Sequence, residues 1–433
     1  MASQAIEAKH RELGGDAGFL GRATTGLAQD TGIGGTLGCH IDYSGGSIYW
    51  TSTEGAHAIY GEIYRKWISV GGPNSNLGYP KTDETSTQDG KGRFNDFAIN
   101  GGDTGSIYWT ASNGAFLIYG VIWLKWRSIG RETSNLGYPI TDETSTPDGK
   151  CRFNDFAING NPTGSIYWTP SQGAHLIYGQ IWLKWKSIGG EGSNLGYPIT
   201  DEASTPDGKC RFNDFAMDGN WTGSIYWTPS LGAFLIYGQI FLKWKSTGGE
   251  SGVLGYPITD ESTAGDHGGR YNDFSNGGSI YWSPSTGAHV ISGALPSELS
   301  WGAINIVFPE GVAAGGGVNL TVTSGGHTTF SGGFHDSGLV DYNYGVACVF
   351  VDADNQPWSV GHSGHISGTF GSGSRQDNFK EESDRAELAR NWRAVAAAKP
   401  DLHTNARVGL DIGSIVETLV QALGVAGQVI ALV

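Results

Sequence analysis

The tetrapeptide LGYP begins at Leu77, Leu136, Leu195 and Leu254, a constant step of 59 residues, and GSIYW begins at Gly46, Gly105, Gly164, Gly223 and Gly278. A chain that repeats at such a period folds as like units stacked on one another, each too small to bury its apolar surface alone. This restricts the first two thirds of the chain to a five-unit repeat architecture. The first unit is the most diverged, because LGRATT from Leu20 stands where the others read LGYP followed by an acidic turn.

Within one unit, RFNDFAI (Arg152 to Ile158) and GSIYWT (Gly164 to Thr169) cluster β-branched and aromatic residues as strands do, and PSQG turns the chain into a third strand, AHLIYG. The next segment, QIWLKWKSIGG, places Ile181 and Trp185 on one helical face and ends in a glycine pair suited to a helix C-terminus. Each unit is therefore a small sheet followed by a short helix. The 70 glycines and the 12% aromatic content fit short strands joined by tight turns.

The fifth unit stops at GAHVISG and lacks this helix, whereas AIEAKHRELGG at the N-terminus aligns with VIWLKWRSIGR, Ile6 on Ile122, Lys9 on Lys125 and Gly14 on Gly130. The reading that follows is an α+β fold in which residues 1–293 form a closed pseudo-fivefold ring, with the N-terminal helix completing the fifth unit. Closure would cover the terminal faces that an open array leaves bare.

The block L-G-Y-P-x-T-D-E, followed by F-x-x-F, GSIYW, GA-x-x-IYG and I-x-x-K-W, resembles the LGFP repeat family, with Tyr in place of the naming Phe. The resemblance covers residues 1–293. LGFP repeats are similar modules appended to cell-wall enzymes of mycolic-acid bacteria, including mycolyltransferases and peptidoglycan amidases, and the resemblance implies anchoring to wall polysaccharide. No such enzyme domain accompanies the repeats here.

Two positions recur in all five units: the tryptophans Trp50, Trp109, Trp168, Trp227 and Trp282, and the aspartates Asp42, Asp96, Asp155, Asp214 and Asp273. A tryptophan face packs on the C–H face of a pyranose, and a carboxylate accepts two hydroxyl hydrogen bonds, so these residues are the candidate ligand-binding set. The competing role is repeat core for the rings and a turn acceptor for the carboxylates. The acidic turn (Asp142, Glu143, Asp148; Asp201, Glu202, Asp207) does not follow the EF-hand spacing, and no metal or cofactor is expected.

Residues 294–433 are different in kind. Five or six alternating segments between residues 294 and 375 read as a small antiparallel sandwich, and residues 380–433 as helices, including an apolar tail from Ile412 interrupted by Glu417. The tail reads as a helix packed on its own domain or at the interface of a homo-oligomer. Glu417 disfavours a membrane role, since a charge in lipid is costly. His327, His335, His362 and His365 lack partners at zinc-ligand spacing, and GHSGH lacks the final glycine of a nucleophile elbow. No catalytic set stands out, so the chain is not expected to be an enzyme. Cys151 and Cys210 occupy one repeat position, taken by Gly92 and Gly269 in other units, which reads as a small buried slot holding free thiols.

Acidic residues outnumber basic ones by 42 to 27, a net charge of −15, which excludes the basic footprint that nucleic acid requires. The first residues show no apolar signal-peptide core, so the expectation is a cytoplasmic protein, or one released without a signal peptide, able to associate with a cell surface. The function expected is non-catalytic, multivalent, lectin-like binding of carbohydrate or cell-wall polysaccharide. The alternative is a toxin-like or pore-forming effector that uses the ring for glycan targeting.

Overall fold

In the third repeat the strand Arg152–Ile158 pairs antiparallel with Asn161–Thr169, which pairs in turn with Gly173–Tyr178. The first hairpin closes through Asn159 and Gly160, both at positive φ (52° and 80°), the two-residue turn whose twist matches that of the flanking strands. Asn100-Gly101 and Asp218-Gly219 do the same in their repeats. The helix Gly179–Ser187 follows and is terminated by Gly189 at φ 108°.

In the first three repeats the helix lies between two sheets. Trp126, on the helix Gly120–Ser128, is fully buried with Tyr108 and Ile118 of its own sheet and with Phe156 and Ile166 of the next. Its ring meets Tyr108 edge to face at 4.8 Å, and its Nε1 donates to the Gly137 carbonyl at 3.2 Å, tying the helix to the following LGYP turn. Trp67 and Trp185 repeat this arrangement. Truncating one of them to Ala would cost about 3–5 kcal/mol. Ion pairs reach one repeat further, joining Lys9 to Asp83 at 2.9 Å, Lys66 to Asp142 and Lys125 to Asp201. Cys151 and Cys210 are buried and form no disulfide, and burial pushes the Cys151 thiol up to about 12. The slot is narrow: a Cβ on Gly92 would come within 2.7 Å of the Tyr138 ring.

These features belong to a computed structural model that describes residues 1–433 and divides into two compact units, 1–233 and 234–433. This division falls inside the fourth repeat. The physical reason lies in the fifth sheet, whose strands Ser279–Ser283 and Gly287–Ile291 are packed by the helix Gly238–Ser246 and by the helix Trp392–Ala398 of the C-terminal region. Ala394 and Ala397 are small enough to bring that helix against Tyr281 and Ile291. Arg393 stands 3.7 Å over the Tyr271 ring and binds Asp273 at 2.9 Å.

The sequence alignment gives this place to the N-terminal helix, and the structure gives it to Trp392–Ala398. The N-terminal helix Ala2–Glu12 instead buries Ile6 on the first sheet, among Leu20, Ile41, Ile48 and Ala58. Ile6 and Lys9 do play the parts of Ile122 and Lys125, as the alignment requires, but a closed ring is not confirmed.

The C-terminal region is a sandwich of two four-stranded sheets. One runs Glu298–Val307, Ala314–Thr323, His327–Asp336, Gln376–Asp384, and the other His403–Val408, Tyr342–Val351, Pro357–Ile366, Ile430–Ala431. Val318, Leu320, Phe330, Val346, Phe350 and Trp358 fill the space between them. Residues 380–433 are thus not wholly helical. Gln376–Asp384 is an edge strand of alternating exposure, and the helix Ile412–Leu423 stops at Gly424 (φ 65°), after which Ile430–Ala431 joins the second sheet. That helix packs Ile415, Val416 and Leu419 on Ala347 and Val349, leaving Glu417 exposed. No helix is long and apolar enough to cross a membrane.

Candidate pockets at the repeat junctions

Where one repeat meets the next, four side chains converge. At the second junction the strand Gly114–Tyr119 delivers Tyr119, and the third repeat contributes Glu143 from its acidic turn, Arg152 from its first strand and Trp168 from its second. Arg152 and Trp168 are cross-strand partners, so both point to the same face of the sheet. They line a pocket of about 340 Å³, whose remaining wall is Val121 and Ile122 in the first turn of the helix.

One hydrogen-bond network fixes the polar corner. The Arg152 guanidinium binds the Glu143 carboxylate through Nε, donates from Nη2 to the Tyr119 hydroxyl at 2.8 Å and from Nη1 to the Ser145 hydroxyl at 3.2 Å. It also lies over the Tyr119 ring at 5.8 Å. Glu143 is nearly inaccessible, with 6% of its side chain exposed, whereas Arg152 keeps 34%. Burial pushes the Glu143 carboxyl up, against the opposing pull of Arg152. Nη2 also donates to the Glu143 carbonyl at 3.2 Å, so the corner is rigid and charge-balanced, and of the five arginine N–H groups one, on Nη1, is left for a ligand.

The same four positions recur. Tyr60, Glu84, Arg93 and Trp109 line the first junction, and Tyr237, Glu261, Arg270 and Trp282 the fourth, in a pocket of about 290 Å³. At the third, Arg211 binds Glu202 and donates to Tyr178 at 3.0 Å, with Trp227 opposite Arg211 on the neighbouring strand. The arginine–glutamate–tyrosine corner beside a tryptophan thus recurs at all four junctions, and it lines a pocket with an apolar helix wall at the first, second and fourth.

Five stretches of the chain, residues 27–75, 77–134, 136–193, 195–252 and 254–301, match the model of the LGFP repeat. The chain belongs to the LGFP repeat family. No curated protein matches it. Among solved structures it overlaps the WD40 domain of SCAP from fission yeast at 6% identity, covering 84% of this chain and 74% of that one. It also overlaps a mutant of AofleA from Arthrobotrys oligospora at 10% identity, covering 76% and 89%. Both superpositions have a TM-score of 0.12 and carry no argument.

The LGFP repeats separate the two residue types that the sequence pairs. Trp109, Trp168, Trp227 and Trp282 are partly exposed on the pocket face. Trp50 shares their position, but its cross-strand partner is Cys39, and it packs against the cluster of Ile6 and Leu20. The aspartates lie on the other face. Each accepts a hydrogen bond from the serine of its own GSIYW strand: Ser47 to Asp42 at 2.6 Å, and likewise Ser106 to Asp96, Ser165 to Asp155, Ser224 to Asp214 and Ser279 to Asp273. The indoles of Trp123 and Trp182 donate to two of these serines. Asp and Trp therefore do not form one site, because three residues separate Asp155 from Arg152, and strand alternation sends them to opposite sides.

The acidic turns likewise disperse. Asp142 accepts from the Leu117 amide at 3.0 Å, Glu143 is held by Arg152, and Asp148 accepts from the Tyr197 hydroxyl, as Asp89 does from that of Tyr138 one repeat earlier. In the C-terminal sandwich His327 pairs with Asp384, His362 with Glu381 and His365 with Asn343, while His335 is exposed. Sequence reading misses the Glu–Arg–Tyr corner, although its signal is present: Glu84, Glu143, Glu202 and Glu261 each precede an arginine by nine residues.

Proposed function

We propose that the chain is a non-catalytic, multivalent binder of a neutral polysaccharide, including the wall polysaccharide of a cell surface, with one sugar subsite at each of the four junctions. The observation that carries this reading is the recurrence of one pocket in which a partly exposed tryptophan lies beside an arginine fixed by a buried glutamate. The tryptophan takes the C–H face of a pyranose, the remaining Nη1 N–H of the arginine donates to a ring hydroxyl, and the isoleucine wall covers a less polar edge. Because Arg and Glu balance, the pocket favours an uncharged ligand, and the net charge of −15 repels polyanions at long range. A single shallow sugar site is weak, and several held at fixed spacing gain avidity on a repetitive polymer.

The test is retention of the full chain on immobilised neutral polysaccharides, with anionic polymers and unloaded resin as controls. Retention that soluble sugar competes away, and that replacement of Trp168 weakens, supports the reading. No retention by any neutral polymer, or release of dye from liposomes without sugar, overturns it.

A further inference from the structure

The first junction departs from the others in size and lining. Its pocket measures about 640 Å³, against about 340 Å³ at the second junction and 290 Å³ at the fourth. Phe19, Gly45, Glu62 and Arg65 line it in addition to the recurring four residues. Phe19 precedes Leu20, as Asn76 precedes Leu77 and Asn135 precedes Leu136. At the later junctions the asparagine side chain reaches a tyrosine hydroxyl, Asn76 that of Tyr119 and Asn135 that of Tyr178. At the first, the Phe19 ring instead contacts the Tyr60 ring at 4.5 Å while 53% of the residue stays exposed. A ring left open to solvent on the rim of an enlarged pocket is a second stacking surface beside Trp109. Glu62 and Arg65, paired with each other on the exposed first turns of the helix, add polar groups at the same rim, where Val121 and Gln239 line the other pockets.

We propose that the first junction is an extended subsite that holds two adjoining rings of a neutral oligosaccharide, one on Trp109 and the next on Phe19, while the other junctions hold one ring each. This rests on the sugar-binding reading above. Phe19 sets the chain length recognised, and the Glu62–Arg65 pair meets the hydroxyls of the second ring.

The test uses the full chain and a panel of glucose, galactose and mannose with their disaccharides and trisaccharides, measured by titration calorimetry. Replacing Trp168, Trp227 and Trp282 by Ala leaves the first pocket as the one intact site. In that background a disaccharide is expected to bind about tenfold more tightly than its monosaccharide. Phe19→Asn, which installs the residue found at the other junctions, is expected to bring this ratio to about one without changing monosaccharide affinity. Trp109→Ala, with the other three pockets intact, is expected to bind mono- and disaccharides alike. Phe19 is half exposed, so the variant is expected to fold, which circular dichroism checks. A ratio that Phe19→Asn leaves unchanged overturns the extended subsite while leaving the sugar reading standing. Binding by no member of the panel to the intact chain, or binding untouched by any tryptophan change, overturns both.

Discussion

Trp168 and Trp50 occupy the same place in their repeats, yet only Trp168 borders a pocket with an arginine and a glutamate. In the third repeat Thr141 accepts from the Asp155 amide, and two residues on stands Glu143; in the first, Thr25 accepts from the Asp42 amide, and two residues on stands Leu27. Arg152 is matched by Cys39. The diverged repeat keeps the scaffold contacts and loses the polar corner. The difference teaches that the tryptophan position belongs to the repeat scaffold, and that the Glu–Arg pair is what turns its outer face into the wall of a pocket.

The sharpest break of this comparison is to remove what the first repeat packs on. Deleting residues 1–15 uncovers Ile41, Ile48 and Ala58 of the first sheet and is expected to cost several kcal/mol, read as a lower melting temperature. An unchanged melt would show that the first repeat does not depend on that helix. Next in size, the combined Trp109→Ala, Trp168→Ala and Trp227→Ala protein is expected to lose polymer binding about a thousandfold, from roughly tenfold per site, whereas Trp50→Ala leaves it unaltered. Undiminished affinity of the folded triple variant, beyond what the remaining Trp282 junction alone can give, would assign these rings to scaffold alone. Smaller still, Arg152→Lys keeps the charge but not the planar fork, and is expected to weaken binding at that junction several-fold with melting changed by no more than a few degrees.

The smallest effect separates the repeats by pH. In the first repeat His40 stands where Phe153 stands in the third, bonded through Nδ1 to Asp30 at 2.7 Å, and that bond raises its pKa despite burial. Its stabilisation is fully present below the ordinary histidine value and is lost as pH rises through the raised one. Burial opposes the downward shift of Asp201, but His175, Lys125 and the Leu176 amide outweigh it and bring the carboxyl to about 2. Its stabilisation is present above the ordinary aspartate value and lost as pH falls toward 2. Thermal melts across acid and alkaline buffers should therefore show His40→Phe flattening the alkaline decline, while Asp201→Asn flattens the acid one. If both variants follow the parent curve throughout, these pairs contribute nothing measurable.

Much of the array is written in its period. The step between LGYP copies, the Asn-Gly turns and the Ile181/Trp185 spacing are local signals, and local chemistry decides them. The face on which Asp155 lies was also legible in principle, since counting three residues from Arg152 sends it away from the pocket. The polar corner escaped because an arginine and a glutamate nine residues apart read as solvated surface until the strand and turn are folded together. The partner of the fifth sheet was not legible at all. Residues 392–398 carry no repeat signature, and their place depends on small alanines meeting a surface more than a hundred residues away in sequence.

The pairs Lys9–Asp83, Lys66–Asp142 and Lys125–Asp201 bear on how the array comes apart. A stack bonded only between immediate neighbours can fray one unit at a time from either end. Here, peeling away one unit also breaks its hold on the unit after next, so an end repeat opens against two attachments rather than one. Under a pull transmitted through a tethered surface, residues 1–233 should yield in larger cooperative steps than a nearest-neighbour stack of the same length.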